Sequence, residues 1–286
     1  MTPFLIILSL YLINFELSTE LLINFPVSFY ITIVLLLFFS QILIGLRWHT
    51  LSNLFDIKIK LLNAINFGFR FSAIGSLTFS GGADVYKFFH QKDSKLTVHE
   101  LSSVIISEKA ISFFAMLLMA TIGLLVNIND NKIIIMIALF FSSILILSIY
   151  VINNINKFPY VNLINYSFNK IKKNFFLDKI FLIKMIVISF LTQLLSIILY
   201  AFFFNNIAGV PIEKLIFIVP ISNLIVSFSF FTFNGIGIRE IFFILMAEVL
   251  FITKEDSFIV AVNASFIITL YMIVSFLISN QFRKSS

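Results

Sequence analysis

Cysteine is absent from this chain of 286 residues, and charged residues make up 12% of it. Without thiols the protein has no disulfides, no thiolate zinc site and no cysteine nucleophile. Its histidines, His49, His90 and His99, are too widely spaced to indicate a metal site. We therefore expect no metal and no cofactor.

Hydrophobic residues make up 60% of the chain, more than a soluble protein of this length can bury. Apolar runs of about 20 residues recur, which is the length that a helix needs to cross the hydrocarbon core. The alternating pattern of an outer-membrane barrel is not found. The composition predicts an all-α, polytopic membrane helix bundle, with residues 1–286 forming one integral membrane domain.

The net charge of +6 comes largely from lysines in the loops, so we expect no nucleic-acid partner. A bias of Lys and Arg among short loops sets the orientation of a membrane protein. The most basic loop, Asn153–Lys184, and the C-terminal Arg283-Lys284 are therefore expected in the cytoplasm. We predict a multi-pass protein of the cytoplasmic membrane with a cytoplasmic C-terminus.

Clean apolar runs predict spans at Thr2–Ile23, Val27–Gly45, Ser102–Val126, Ile133–Ile152, Met185–Phe204 and Phe258–Ile278. The first run lacks the positively charged N-terminal region and the small-residue cleavage site of a signal peptide, which favours a retained membrane span. The second run is followed by Arg47-Trp48-His49, a sequence typical of an anchor at the membrane interface.

Two other regions are apolar but broken, which means that polar residues and glycines interrupt them. A complete crossing by Leu61–Ser80 would put Asn153–Lys184 outside, so we predict that Leu61–Ser80 enters and returns on the cytoplasmic side. Pro220–Glu240 is interrupted by Asn234-Gly235-Ile236-Gly237, just before Arg239-Glu240. Residues 215–251, which include this break, form either a re-entrant hairpin or two short spans, and both interpretations stay open.

Taken with their flanking charged residues, the broken regions are Leu61–Glu108 and Leu215–Glu240, and they occupy matching places in two halves of the chain, 1–152 and 153–286. Broken helix is tolerated at membrane depth only where protein or a water-filled cavity surrounds it. Matched breaks are typical of transporters built from inverted repeats. We predict two re-entrant or broken helical regions that enter from opposite sides, and this layout favours an inverted repeat.

Short motifs around the breaks carry a resemblance to a known family. They are Gly81–Lys87 (GGADVYK), Ser107–Lys109 (SEK) and Asn234–Glu240 (NGIGIRE), with Arg47-Trp48 upstream. In these motifs the chain resembles the lysylphosphatidylglycerol synthase transmembrane (flippase-like) family. The last motif matches that family's Gly-x-Gly-x-Arg-Glu fully, whereas Ala83 is inserted before Asp84, and Lys87 and Lys109 stand where the family has arginine.

The resemblance spans essentially the whole chain, as a membrane domain without the aminoacyl-transfer domain of larger relatives. It implies movement of amphiphilic lipids across the membrane, or support of lipid-linked glycan assembly, and we expect no enzymatic activity. The lysine-for-arginine changes bear on headgroup recognition, because arginine binds phosphate as a planar fork and lysine as a point charge.

The candidate site is centred on the last motif. A helix that starts after Gly237 would point its N–H groups at a phosphate, and Arg239 would add a bidentate bond. Glu240 points about 100° away from Arg239 on the helix, so we expect it to pair with a more distant cation: Arg70, Lys87 or Lys109. The alternative is that Arg239 and Glu240 lock helices together through buried ion pairs.

We predict two groups of site residues. Contacts with the headgroup phosphate are assigned to Arg239, Lys87, Arg70, Lys109, Gly235 and Gly237, and a supporting polar network to Glu240, Glu108, Asp84 and Asn234. Asp84 and Lys87 would share one face of a helix that begins at Gly82. The alternative for Lys87 is a lysine that snorkels to the interface.

The predicted function is the movement or handling of a phospholipid or a polyprenyl-phosphate-linked sugar in envelope or glycan biogenesis. The expected partners are that lipid or lipid-linked glycan and envelope-glycan synthesis proteins. One alternative is a membrane transferase that uses a lipid-phosphate donor through Glu16 and Glu20, although the short outer loops favour an interface role for both. The other is a non-transporting accessory subunit of a glycan-assembly complex.

Overall fold

The computed structural model describes residues 25–54, 59–78, 81–90, 98–127, 179–228, 232 and 235–284. Over these ranges the chain is helical and contains no strand. The helices are α1 (Val27–Leu54), α2 (Leu61–Leu77), α3 (Gly82–His90), α4 (Val98–Val126), α5 (Lys179–Ala208), α6 (Ile212–Phe228), α7 (Ile238–Leu245), α8 (Ala247–Leu250) and α9 (Lys254–Lys284). The prediction of an all-α membrane bundle is confirmed.

Four helical segments are long and apolar enough to cross a membrane: Val27–Leu54, Val104–Val126, Ile183–Ala208 and Lys254–Ser279. They coincide with four of the predicted spans. Large apolar side chains such as Phe39, Leu191 and Val274 are exposed on them, as expected for a surface in contact with lipid. The predicted spans Thr2–Ile23 and Ile133–Ile152 lie outside the described residues, as does most of the basic loop Asn153–Lys184.

The first broken region is a helical hairpin. The rings of Phe67 in α2 and Tyr86 in α3 stack with their centroids 5.7 Å apart. A Cβ atom on Gly75 would lie 2.9 Å from the Cβ of Ala83, so the chain turns tightly between the two helices. Because α3 folds back along α2, this region enters and returns as predicted. Its returning leg is α3, which lies beyond the predicted bound at Ser80.

The second broken region is a helical hairpin as well, and it returns to the side of the bundle from which it starts, as both a re-entrant hairpin and two short spans would. Lys214, near the start of α6, places its Nζ atom 5.0 Å from the ring centroid of Phe251, which follows α8. The beginning and the end of the α6–α8 segment therefore lie at the same side of the bundle. Asn127 at the end of α4 fixes that side, because its Nδ2 donates to the carbonyl of Glu213 at 2.9 Å.

The two halves run in opposite directions. At one end of the bundle, the rings of Phe29 near the start of α1 and Phe203 near the end of α5 are 5.2 Å apart. At the other end, Trp48 of α1 shares an apolar core with Phe181 and Met185 near the start of α5. Helices α1 and α5 are therefore antiparallel, and the hairpin that follows each of them enters from the opposite side.

The order of elements repeats as well. A long helix, a 17-residue helix, a broken return and a second long helix occur first in α1–α4 and again in α5–α9. Helix α4 packs on α6, and in the matching position α9 packs on α2. The last long helix of each half thus contacts the hairpin of the other half. This is the layout of an inverted repeat.

Candidate functional site

A glycine turn positions the start of α7 inside the bundle. Gly235 and Gly237 have φ angles of +74° and +93°, a conformation that glycine adopts far more readily than other residues. A Cβ atom on Gly235 would lie 2.5 Å from the side chain of Val226 in α6. The turn places Arg239 and Glu240, both buried, in the first turn of α7. Asn234, predicted to support this site, lies outside the described residues.

Glu240 caps its own helix. Its Oε2 accepts the backbone N–H of Gly237, and its Oε1 accepts the hydroxyl of Ser265 at 2.7 Å. The expectation that Glu240 pairs with a distant cation is therefore wrong: no ion pair of this carboxylate is found among the described residues. Since the carboxylate follows the turn by three residues, a capping box satisfies it locally.

The backbone at this helix end is also occupied. The N–H of Arg239 donates to the carbonyl of Gly235 at 3.0 Å, and that of Ile241 donates to Gly237 at 3.1 Å. The free N–H groups expected to receive a phosphate are thus already used at Gly237, Arg239 and Ile241. The charged group that this helix end offers a ligand is the side chain of Arg239.

Arg239 is buried but incompletely paired. Arg239 is 6% exposed, and its Nε and Nη1 atoms have no hydrogen-bond acceptor among the described residues. The guanidinium carbon lies 5.9 Å from the ring centroid of Tyr200 in α5. A cation buried at membrane depth is costly unless an anion or a dipole balances it, so Arg239 is the strongest candidate for an anion contact.

The Arg239 side chain lines a cavity of about 120 Å³ between α1, α5, α6, α7 and α9. The polar residues of its lining are Ser40, Gln41, Ser196, Tyr200, Asn223 and Arg239, and the remainder is Leu, Ile and Met. The Gln41 Oε1 and the Tyr200 hydroxyl are buried without a partner in the described part of the chain. Ser40 and Ser196 are partly exposed, so the cavity reaches the outer surface of the bundle.

A second polar cluster lies farther along α1. We call Arg47, Asp84, Lys87, Glu108 and Lys109 the α1–α3–α4 cluster, after the helices that supply it. Glu108 accepts from Arg47 at 3.1 Å and from Lys87 at 2.5 Å. Asp84 lies 3.6 Å from Lys87 and 3.0 Å from Lys109. The structure thus brings Glu108 together with two cations and places Asp84 and Lys87 on one helix face, whereas the support of a headgroup site by these residues stays a prediction.

Lys87 does not snorkel to the interface. It is 3% exposed, and its Nζ lies over the rings of Phe71 at 4.0 Å and Trp48 at 5.2 Å. The interpretation of Arg47-Trp48 as an interface anchor is wrong as well, since Arg47 is 9% and Trp48 0% exposed. Helix α1 continues beyond the predicted end at Gly45 to Leu54, and this extension carries both side chains into the core.

Arg70 lies apart from both the cavity and the α1–α3–α4 cluster. It is 5% exposed, and its Nη2 donates to the backbone carbonyl of Ser279 at 2.6 Å. This contact joins α2 to α9. A contact of Arg70 with a lipid headgroup stays a prediction, and the same holds for Lys87, Lys109 and Gly235.

Sequence reasoning did not assign Gln41, Arg47, Tyr200 or Ser265 to a polar site. A signal existed for the first two, since Gln41 interrupts an apolar run and Arg47 follows six residues later on the same helix. Tyr200 and Ser265 offered none, because their roles depend on contacts with α7 that only the fold brings about.

The match to known families covers both hairpins and both polar sites. A family model described as the lysylphosphatidylglycerol synthase TM region matches residues 3–275. The chain belongs to this family. The resemblance carried by the glycine turns and by Arg239-Glu240 is thereby confirmed. No curated protein and no solved structure matches the chain.

Proposed function

We propose that this multi-pass membrane protein is flippase-like and moves an anionic amphiphile across the cytoplasmic membrane. The observation that carries the proposal is Arg239, a buried guanidinium with unpaired N–H groups beside a polar cavity. A phosphate group matches it, because charge-assisted bonds between arginine and phosphate are strong and frequently bidentate.

The position of the cavity suits a lipid headgroup. Gln41 lies midway along the 28 residues of α1, and hence near the middle of a membrane span. Partly exposed Ser40 and Ser196 connect the lining with the surface that faces lipid. A phosphate could therefore occupy the cavity while its acyl or prenyl tails stay in the bilayer. The inverted hairpins supply two broken elements of the kind that transporters use around a central site.

The α1–α3–α4 cluster has a different part in this proposal. Arg47 and Lys87 are buried and share the carboxylate of Glu108, so their charges are largely balanced inside the protein. Lys109, whose side chain is 53% exposed, is the cation of this cluster that is open to a ligand. We propose that the cluster holds α1, α3 and α4 together on the cytoplasmic side, and that Lys109 contacts headgroups as they arrive.

Lipid movement in proteoliposomes of the purified protein tests the proposal. A fluorescent phospholipid and a short-chain polyprenyl-phosphate sugar are followed in parallel, with wild type beside Arg239→Gln. Lys254→Gln is the matched control, because it removes a cation from an exposed position at the start of α9. We expect movement of at least one lipid by wild type and by Lys254→Gln, and its loss in Arg239→Gln.

Absence of movement by folded wild-type protein, or movement that Arg239→Gln leaves intact, would contradict the proposal. The same samples are analysed for chemical conversion of the lipid. Conversion without movement would support a transferase in its place.

A further inference from the structure

The side of α5 that faces the bundle is apolar at both ends and polar in the middle. Phe181 and Met185 are buried near the start of the helix, and Phe203 and Phe204 are buried near its end. The polar residues between them recur at every third or fourth position and therefore lie along one face of the helix. We call them the α5 polar face: Ser189, Gln193, Ser196 and Tyr200.

The α5 polar face extends through much of a membrane span. It lies within Ile183–Ala208, a segment that is long and apolar enough to cross a membrane. From Ser189 to Tyr200 the helix rises about 16 Å at roughly 1.5 Å per residue, which is about half of the roughly 30 Å hydrocarbon core. A buried polar group at this depth costs free energy unless a partner or water satisfies it. A polar face of this length is therefore either bonded throughout or open to water.

One end of the α5 polar face lines the cavity beside Arg239. Ser196 and Tyr200 belong to the lining of that cavity, whereas Gln193 and Ser189 lie outside it, nearer the start of α5. The polar face therefore continues beyond the cavity by about two helical turns.

The other end of the α5 polar face leads to the α1–α3–α4 cluster. Met185, one helical turn closer to the start of α5 than Ser189, shares an apolar core with Trp48. The centroid of the Trp48 ring is 5.2 Å from the Nζ atom of Lys87. The polar face thus joins the surroundings of the two polar sites of the protein.

Asn223 of α6 marks the boundary of the cavity on this face. Its Nδ2 donates to Ser196 Oγ at 3.0 Å and to Gln193 Oε1 at 3.3 Å. Asn223 and Ser196 line the cavity and Gln193 does not, so the Gln193–Asn223 contact lies where the cavity ends. Both partners are neutral, and water or a ligand can replace such a bond at little net cost.

The α5 polar face is not bonded throughout. The hydroxyls of Ser189 and Tyr200 are buried and have no hydrogen-bond partner among the described residues. The hydroxyl of Thr192 shows the usual arrangement inside a helix, because it donates to the Ile188 carbonyl at 2.8 Å. Unbonded hydroxyls on both sides of Gln193 indicate that water reaches the polar face.

We infer that the α5 polar face is a wetted path along which the lipid headgroup passes between the cavity beside Arg239 and the α1–α3–α4 cluster. The Gln193–Asn223 contact crosses this path in the present conformation, and the headgroup replaces it on the way through. Carboxamides both donate and accept hydrogen bonds, so these two side chains can bind a phosphate and its hydroxyl or amine substituents alike. The inference rests on the proposed function and adds a route to it.

Labelling of single cysteines tests whether water reaches the path. The chain has no cysteine of its own, so Ser189→Cys and Ser196→Cys each supply one thiol and exchange an oxygen for a sulfur. The probe is a water-soluble, permanently charged methanethiosulfonate, present on both sides of proteoliposomes of the full chain. It reacts with the thiolate, a form that apolar surroundings suppress.

Leu191→Cys and Leu194→Cys are the matched controls. Both leucines are exposed on the side of α5 that faces lipid, at depths between those of Ser189 and Ser196. We expect Ser189→Cys and Ser196→Cys to react about tenfold or more faster than both controls, because water reaches the first pair and hydrocarbon surrounds the second.

Lipid movement tests whether the headgroup uses the path. Gln193→Met keeps the length of the side chain and removes its carboxamide. The control Asn206→Leu removes an exposed carboxamide of the same helix, which donates to the Phe202 carbonyl. With the fluorescent phospholipid and the polyprenyl-phosphate sugar as probes, we expect Gln193→Met to slow movement about tenfold or more, since a charged headgroup loses a hydrogen bond there. Asn206→Leu should leave the rate unchanged.

The possible results separate the path from the proposed function. Labelling of Ser189→Cys as slow as that of the leucine positions, or unchanged lipid movement by Gln193→Met, would overturn the path and leave the flippase-like function standing. No lipid movement by folded wild type would overturn the function, and the path as a route for headgroups with it. The labelling comparison decides between a wetted and a dry helix face even if Gln193→Met fails to fold.

Discussion

Replacing Glu108 by glutamine should destabilise the protein strongly. The Glu108 carboxylate is buried and accepts from Arg47 at 3.1 Å and from Lys87 at 2.5 Å. Glutamine keeps the size of the side chain but leaves two buried cations without that charge. Removing one partner of a buried ion pair lowers the free energy of unfolding by about 3–5 kcal/mol, because the remaining charge stays desolvated. We expect a loss in this range for Glu108→Gln.

Lys109→Gln is the matched control from the adjacent position. Its ion pair with Asp84 at 3.0 Å involves a side chain that is 53% exposed, and exposed pairs contribute about 0–1 kcal/mol. The assay is unfolding in detergent followed by fluorescence of Trp48, the single tryptophan of the chain, which lies in the same region 5.2 Å from Lys87. Equal losses in the two variants would refute the assignment of Glu108 as the buried centre of the α1–α3–α4 cluster.

Three further predictions concern the turn, a helix contact and the orientation. Gly235→Ala should lower the free energy of unfolding by about 1–3 kcal/mol because its φ of +74° disfavours a side chain, and unchanged stability in a denaturant titration would contradict this. Arg70→Met should cost about 1.5–3 kcal/mol through loss of the bond to the Ser279 carbonyl, and a melting temperature equal to wild type would count against that contact. Single cysteines at Asn53 and Lys254, both exposed in this cysteine-free chain, should react with an impermeant maleimide from opposite sides of the membrane, and labelling from one side would refute the inverted arrangement.

The hairpins were predictable because their causes are local. A glycine-containing turn inside an apolar run can be recognised in the sequence, and Gly235 and Gly237 adopt the conformations that such a turn requires. The distribution of lysines then decided against a full crossing by Leu61–Ser80. The choice between a re-entrant hairpin and two short spans for α6–α8 stays a matter of membrane depth, because both bring the two ends of the segment to the same side.

Contacts between side chains of different helices were much harder to predict from the sequence. Glu240 was expected to find a distant cation, yet its own turn and Ser265 satisfy it. Arg47 was placed at an interface because the apolar run ends just before it, whereas the helix continues and brings it to Glu108. Such contacts depend on where α1, α4, α7 and α9 lie relative to one another, and local sequence contains little of that information.

The repeat gives the two polar sites related surroundings. Each takes a cation from the short helix of a hairpin, Lys87 in α3 and Arg239 in α7, and each faces the last long helix of its own half. At the first site Glu108 of α4 accepts from Lys87, whereas at the second site Ser265 of α9 donates to Glu240 and not to Arg239. The first site is consequently neutralised from within the protein, and the second keeps a cation for a ligand.

Equilibrium binding of a short-chain phosphatidylglycerol to the purified protein tests the central claim most directly. Loss of a charge-assisted hydrogen bond weakens binding by about 1.5–3 kcal/mol, or roughly 10- to 150-fold in Kd. We predict this loss for Arg239→Gln and an unchanged Kd for Lys254→Gln. An Arg239→Gln protein that is folded and binds the lipid as tightly as wild type would contradict the assignment of Arg239 as the phosphate-binding residue.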